Sequence, residues 1–222
     1  MKKVAVLIPC YNEEKTIGTV IEDFNKYLPY AKIYVYDNNS TDNTYKIASS
    51  YKNVIVKKEK KRGKGNVIKK MFKDIKADIY LLVDGDNTYH AKDAQKLIDG
   101  INNGYDMIIG DRLSCDYFKV NTRKLHGFGN KVITFIINLF YHSNITDSLS
   151  GFRALSKEFV NKLNIESNNF EIETEICIKA IRGLYKIGEV PITYTDRIEG
   201  SVSKLNTIKD GFKILKFILK FK

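Results

Sequence analysis

Leu81-Leu82-Val83-Asp84-Gly85-Asp86 sets two carboxylates one residue apart at the end of an apolar strand. Side chains alternate along a strand, so Asp84 and Asp86 point the same way if the extended geometry continues past Val83. A hard divalent cation such as Mg²⁺ or Mn²⁺ takes a few oxygen ligands and keeps positions open for phosphates. An Asp-x-Asp pair by itself is also ordinary turn chemistry, so its neighbours decide what it means.

Working outward, short apolar runs rich in Val, Ile and Tyr predict strands at 4–8, 33–37, 54–56, 79–83 and 107–109. Helical patterns lie between them, at about 14–28, 41–51, 64–75 and 91–103. Ser40 or Thr41 ahead of Asp42 is the expected N-cap of the second helix. Such alternation predicts βαβ units, an α/β fold and a mostly parallel sheet flanked by helices. Ligands of these sheets collect beyond the carboxyl ends of the strands. Three polar clusters fall at that edge: Pro9-Cys10-Tyr11-Asn12-Glu13, Asp37-Asn38-Asn39-Ser40 and Asp84-Gly85-Asp86. Each alone reads as a loop; together they outline a nucleotide-sized site.

The second half is less regular. A helix is expected at 130–141, a loop running into a strand at 147–153 and a helix at 171–183. Strand-like segments at 187–190 and 192–195 flank Pro191. Neither a repeat nor a low-complexity linker interrupts the chain, so 1–206 is expected to form one domain, followed by a basic helix over 207–222.

The 222 residues suffice for a sizeable core, and 43% hydrophobic with 28% charged residues is a globular composition. A net charge of +11 points to acidic partners: phosphates, nucleic acid or anionic lipid. Cys10, Cys115 and Cys177 show neither a disulfide framework nor zinc spacing, which favours a reducing compartment. The apolar run at 132–141 is about half of what a membrane span needs, so no spanning segment is expected. His90, His126 and His142 are scattered and carry no motif.

Six of the eight residues from 57 to 64 are basic, ending in Arg62-Gly63-Lys64-Gly65 at a helix start. The glycines would let backbone approach an anion, and Lys64 would contact phosphate. The spacing is not that of a Walker loop, and no Gly-x-Gly-x-x-Gly follows the first strand, which argues against a dinucleotide redox enzyme. Along 207–222, Lys209, Lys213, Lys216 and Lys220 form one narrow stripe in an otherwise apolar helix. A helix of that kind lies in the interface of an anionic membrane, or docks on the protein with its lysines in water. Nucleic acid is not an expected partner, since aromatics do not interleave with the basic run.

Val6-Leu7-Ile8-Pro9-Cys10-Tyr11-Asn12-Glu13-Glu14, Asp37 within Tyr-Asp-Asn-Asn-Ser-Thr-Asp, Gly63-Lys64-Gly65 and Asp84-Gly85-Asp86 resemble the signature of family 2 glycosyltransferases of the GT-A fold. Gly110-Asp111-Arg112, the segment from Asp147 to Arg153, Phe170 to Glu175, Glu189-Val190-Pro191-Ile192, and Arg197 with Ser203-Lys204 resemble the dolichyl-phosphate mannose synthase branch, which includes other polyprenyl-phosphate glycosyltransferases. The resemblance covers roughly residues 3–206.

It implies that Pro9, Tyr11 and Glu13 line the nucleoside pocket and that Asp37 bonds the base. Lys64 would hold the nucleotide. Asp84 and Gly85 would contact ribose and phosphate, with Asp84 and Asp86 binding Mg²⁺ or Mn²⁺. Arg112 and Arg123 would face the acceptor phosphate, while Arg197, Ser203 and Lys204 close over the diphosphate or acceptor. Glu171 and Glu173 would lie near sugar or acceptor without an assigned role. Two departures stand out. The third metal ligand common in the family falls on Thr88, and the closing motif is one residue longer, so Ser201 and Ser203 compete for one role.

The expected activity is inverting transfer of a hexose or N-acetylhexosamine from a UDP- or GDP-sugar to a polyprenyl phosphate. The expected place is the cytoplasmic face of a membrane, peripherally attached through 207–222, with room for a membrane-protein partner or homo-oligomer. A lipid phosphate is already an oxyanion and needs no strong base. A glycan or soluble hydroxyl acceptor, the alternative, would need one, with Asp147 or Glu173 as candidates.

Overall fold

The computed structural model describes residues 2–114, 124–199, 204 and 207–220. Seven strands form one sheet: β1 (Val4–Cys10), β2 (Lys32–Asp37), β3 (Val54–Lys58), β4 (Ile79–Leu82), β5 (Met107–Asp111), β6 (Arg153–Ser156) and β7 (Ile187–Pro191). Their order is β3-β2-β1-β4-β6-β5-β7. The β1–β2, β1–β4, β2–β3 and β5–β7 pairs are parallel, and β6 runs antiparallel between β4 and β5. This is the expected mostly parallel GT-A-like α/β fold.

The helices are α1 (Ile17–Tyr27), α2 (Thr44–Ser49), α3 (Lys64–Asp74), α4 (Ala94–Asn102), α5 (Lys124–Tyr141), α6 (Lys157–Lys162), α7 (Ile172–Arg182) and α8 (Thr207–Lys220). Alternation along the strands builds two cores. Val4, Val6 and Ile8 of β1 join Ile17, Ile21 and Phe24 of α1 and Leu97 and Ile98 of α4 on one face. Ala5 and Leu7 join Val67 and Met71 of α3 and Ile172 and Ile176 of α7 on the other. A third, smaller cluster packs Ile133 and Ile137 of α5 with Ile178 of α7 and Ile214 and Ile218 of α8.

Four local expectations are corrected. The second helix starts at Thr44, where Asp42 accepts from the Thr44 amide at 2.9 Å and its hydroxyl at 2.5 Å. Ser40 and Thr41 instead bond Asn12 across the sheet edge. The first helix begins at Ile17 because 13–16 form a turn closed by the Thr16 and Ile17 amides on the Glu13 carbonyl. Segment 192–195 is not a strand: only Tyr194 pairs, in a single bridge to Tyr89. The short helix α6 was not foreseen; Ser156 caps it by accepting from the Phe159 amide at 3.1 Å.

The end of α7 supplies a stability test. Leu184 donates to the Ile181 carbonyl and Tyr185 to that of Ala180, a pairing that closes a helix through a left-handed residue. That residue is Leu184, with φ 55° and 92% exposure. A leucine there costs roughly 1 kcal/mol or more that Asn or Gly avoids. Leu184→Asn should therefore raise the thermal midpoint by about 2–4 °C in calorimetry; a fall would contradict the assigned geometry.

Candidate active site

The three polar loops meet as expected, and each turns on an asparagine in the left-handed region: Asn12 (φ 54°), Asn39 (φ 65°) and Asn87 (φ 60°). Asparagine tolerates that backbone because its short side chain bonds locally. The first two loops are laced together. Asn12 donates its amide to Ser40 Oγ at 2.9 Å, Glu13 to Thr44 Oγ1 at 2.7 Å, and Asn38 to the Cys10 carbonyl at 2.7 Å. The third loop is pressed onto β1 at Gly85, where a Cβ would stand 2.7 Å from Cys10 Sγ. Thr16 Oγ1 donates to the Gly85 carbonyl at 2.7 Å and fixes that approach. Burial and the neighbouring carboxylates push the Cys10 thiol up, so it is a packing group here.

The two aspartates have different partners. Asp86 is buried; its Oδ1 accepts from the Thr88 hydroxyl at 2.7 Å and amide at 3.2 Å, and its Oδ2 pairs with Arg197 Nη2. Thr88 thus orients Asp86 rather than reaching the cavity. Asp84 Oδ1 lies 2.5 Å from Lys64 Nζ, and Lys64 is also 2.5 Å from Glu173 Oε1. Burial alone would lower the Lys64 pKa, but Asp84 and Glu173 outweigh it and raise the value, so the ammonium stays charged. Gly151 is required beside this pair, because a Cβ there would lie 2.6 Å from Asp84 Oδ2.

The basic loop is placed by a residue that sequence reading left unassigned. Asn38 Nδ2 donates to the carbonyls of Glu59 (3.0 Å) and Lys61 (2.8 Å), and its Oδ1 accepts from the Gly63 amide at 2.7 Å. Gly63 (φ 118°) and Gly65 face the backbone of Asn168 and Ser167, with a Gly65 Cβ 2.5 Å from the Ser167 carbonyl oxygen. Close packing on 167–169 is thus a further requirement for these glycines, and Gly63 also lines the cavity. Arg62 is held with its guanidinium 5.0 Å from the Tyr11 ring centroid.

Arg197 and Lys204 stand at the front of the site. Besides its contact with Asp86, Arg197 approaches Glu13 Oε1 at 3.8 Å, and Lys204 Nζ meets Glu13 Oε1 at 2.8 Å and the Asn12 carbonyl at 2.9 Å. Burial raises the Glu13 pKa, an effect the Lys204 contact opposes. A cavity of about 270 Å³ results, lined by Pro9, Tyr11, Glu13, Lys64, Asp84, Gly85, Asp86, Arg197 and Lys204 among the predicted residues. Asn38, Arg62 and Phe170 complete much of its wall.

Two predicted residues stand apart from that lining. Asp37 is buried: its Oδ2 accepts from the Ser40 amide at 3.2 Å, and its Oδ1 has no partner among the described residues. Arg112, after β5, forms a two-pronged pair with Asp147 through Nε at 2.7 Å and Nη2 at 2.8 Å. Glu189 accepts from the amides of Thr146 and Asp147 and so fixes this carboxylate. Arg153, a motif residue with no role read from sequence, is buried and donates to the carbonyls of Ser148, Ser150 and Glu173. It ties the 147–153 loop to the start of α7. Arg123, Ser201 and Ser203 lie outside the described residues.

Among the described residues no cluster of three or more His, Cys, Asp or Glu side chains is arranged for a metal, and the candidate protein ligands are Asp84 and Asp86. Their oxygens are the hard donors that Mg²⁺ or Mn²⁺ takes, and the adjoining cavity leaves room for phosphate oxygens. The residues present fit such an ion.

Comparison with known proteins follows this geometry. Haloferax volcanii "Glycosyltransferase AglJ" is 36% identical over 210 residues, 94% of this chain and 68% of that protein. A Methanococcus voltae UDP-N-acetylglucosamine–dolichyl-phosphate N-acetylglucosaminyltransferase is 31% identical, covering 100% of this chain and 96% of its own. Mycobacterium tuberculosis glucosyl-3-phosphoglycerate synthase, solved with Mn²⁺, UDP and product, shares the fold at TM-score 0.81 with 18% identity, over 99% of this chain and 80% of that one. The Glycosyl transferase family 2 pattern matches residues 5–163, and with these relatives it makes the chain a member of the family 2 glycosyltransferases.

Proposed function

We propose that the enzyme moves a hexose or N-acetylhexosamine from a UDP- or GDP-sugar to a polyprenyl phosphate, with inversion at the anomeric carbon. The observation that carries this reading is the cavity wall, where Asp84 and Asp86 are met by Lys64 and Arg197, with Arg62 and Lys204 beside them. Carboxylates for a divalent ion next to four cations suit a leaving diphosphate. Mg²⁺ or Mn²⁺ held by Asp84 and Asp86 would neutralise charge on that group. Tyr11 and Arg62 border the nucleoside end, and the unpartnered Asp37 Oδ1 is suited to a base N–H. Arg197 and Lys204 sit on the 195–204 segment, where they can shift from carboxylates to phosphate without changing the loops behind them.

The state of the carboxylates supports this acceptor class. Asp147 is fully buried in its pair with Arg112, and Glu173 is held by Lys64, so neither is a free base for a hydroxyl. A phosphate acceptor needs none. Arg112 offers it a planar guanidinium, Arg123 and Ser203 are proposed to join it, and the dolichyl-phosphate acceptor of the Methanococcus relative supports the assignment. The proposed location is the inner membrane face, reached from the cytoplasm.

Two measurements test this. Saturating UDP or GDP with Mn²⁺ or Mg²⁺, at about 100 times its dissociation constant, should stabilise the protein by about 2.7 kcal/mol and raise the midpoint by roughly 5–10 °C. Asp86→Ala should remove the metal-dependent part; stabilisation unchanged by this substitution would exclude Asp86 as a ligand. Arg112→Lys should keep the nucleotide shift but lower transfer to detergent-solubilised polyprenyl phosphate about 10- to 100-fold, the loss of a charge-assisted, two-pronged contact. Transfer at the wild-type rate would remove Arg112 from the acceptor site, and no lipid-linked sugar from any UDP- or GDP-sugar would sink the proposal.

A further inference from the structure

The outer face of α5 is apolar and uncovered. Phe128, Val132, Phe135 and Leu139 recur at spacings of 4, 3 and 4, which sets them on one stripe, and Phe128 and Phe135 are each 66% exposed. The opposite side of the same helix buries Ile133 and Ile137. A helix apolar on both sides belongs between two apolar phases, and the described residues supply only one of them. The neighbouring α8 repeats the arrangement: Ile214 and Ile218 pack inward, while Phe212 (70% exposed) and Leu219 (59%) face out. The two helices are joined where Tyr141 Oη donates to the Ile218 carbonyl at 2.7 Å. Six of the ten large apolar side chains most exposed among the described residues lie on these two helices.

Charge selects the occupant. Lys131 on α5 and Lys213, Lys216 and Lys220 on α8 are all exposed, and α5 carries no acidic residue. Pairing this face with a second copy would bring like-charged lysines together, an arrangement that costs free energy. An anionic bilayer instead takes the aromatic and aliphatic side chains at its headgroup boundary and attracts the lysines. Among the described residues no helix is long and apolar enough to cross a membrane, so the fit is to its surface.

We infer that α5 and α8 together form a docking face for an anionic lipid surface, with the α5 stripe supplying most of the apolar insertion. The sequence reading placed membrane contact on 207–222 alone; in the structure part of that helix's apolar arc is spent on the protein. The orientation, though not the docking itself, rests on the lipid-phosphate reading above. Thr134 of α5 contacts Ser148 at 2.7 Å between hydroxyls, and Ser148 adjoins the Asp147 that holds Arg112. One helix, about 10 Å across, therefore separates the proposed acceptor arginine from the lipid.

The test uses the full chain and two surface variants, Phe135→Ser/Leu139→Ser and Phe212→Ser/Leu219→Ser, each checked for an unchanged thermal midpoint. Wild type should float with phosphatidylcholine vesicles containing phosphatidylglycerol, bind pure phosphatidylcholine more weakly and be partly released by high salt. The α5 variant should lose at least tenfold in vesicle affinity, and the α8 variant less. Absence of flotation by wild type, or equal flotation by the α5 variant, overturns the inference. So does a wild-type dimer in sedimentation velocity that the α5 variant dissolves, which would make the face a self-association surface. Transfer in detergent separates the two readings: if neither wild type nor variant glycosylates the lipid while flotation still differs, the docking face stands and the proposed reaction falls.

Discussion

The Lys64 ammonium, shared between Asp84 and Glu173, joins three parts of the chain at one charged point above the core they share. Asp84 leaves β4, Lys64 opens α3, and Glu173 opens α7. A buried lysine is costly unless paired, and two carboxylates around one ammonium leave a net negative charge in the protein. That residual charge is tolerable beside a cavity that draws in cations. It also explains the glycines around it: Gly151 makes room for Asp84, and Gly65 lets α3 approach the 167–169 segment that precedes Glu173. Remove the shared ammonium and the half-buried Asp84 faces the buried Glu173 without a counter-charge, so this wall of the site depends on that contact.

Around that fixed point the site divides into a rigid back and a front made of ion pairs. The back is held by directional bonds to backbone: Asn38 to the basic loop, Thr16 to Gly85, Thr88 to Asp86, Arg153 to the start of α7. None of these needs to change for a ligand to bind. At the front, Arg197 and Lys204 are attached to the cavity as side-chain cations on Asp86, on Glu13 and on the Asn12 carbonyl. Such pairs exchange partners readily when a stronger counter-charge arrives. Preorganised loops with a front that can trade partners are what a reaction developing charge on a leaving group requires.

How much of this was legible in the sequence follows from the range of each interaction. Short apolar runs rich in Val, Ile and Tyr gave the parallel strands, and the polar residues directly after them gave the cavity wall, because both are set within a few residues of one another. The antiparallel β6 and the short α6 were missed or blurred: four-residue elements carry too little periodicity to stand out. Partnerships were the least legible. Thr88 sits where a metal ligand was sought, yet its bond to Asp86 is a local side-chain turn. Arg112 read as an open phosphate contact, but Asp147, 35 positions later, holds it. Gly63 and Gly65 read as anion-approach glycines because the backbone they pack against, at 167–169, is remote in sequence.

The acceptor side then raises a question of free-energy balance. Arg112 is satisfied by Asp147, and Asp147 and Thr146 are in turn held through Glu189, so exposing Arg112 to a ligand would unpair a buried carboxylate. A phosphate need not break the pair. Nε and Nη2 of the guanidinium serve Asp147, its flat face lies 5.6 Å from the Tyr194 ring centroid, and an anion brought beside it would extend the chain of charge rather than replace it. A neutral hydroxyl acceptor would gain little from such a group. On the proposed docking of α5, a dianionic headgroup would gain most from the low-dielectric setting one helix away. The same buried pair that keeps Asp147 from acting as a base thus favours an acceptor that needs none.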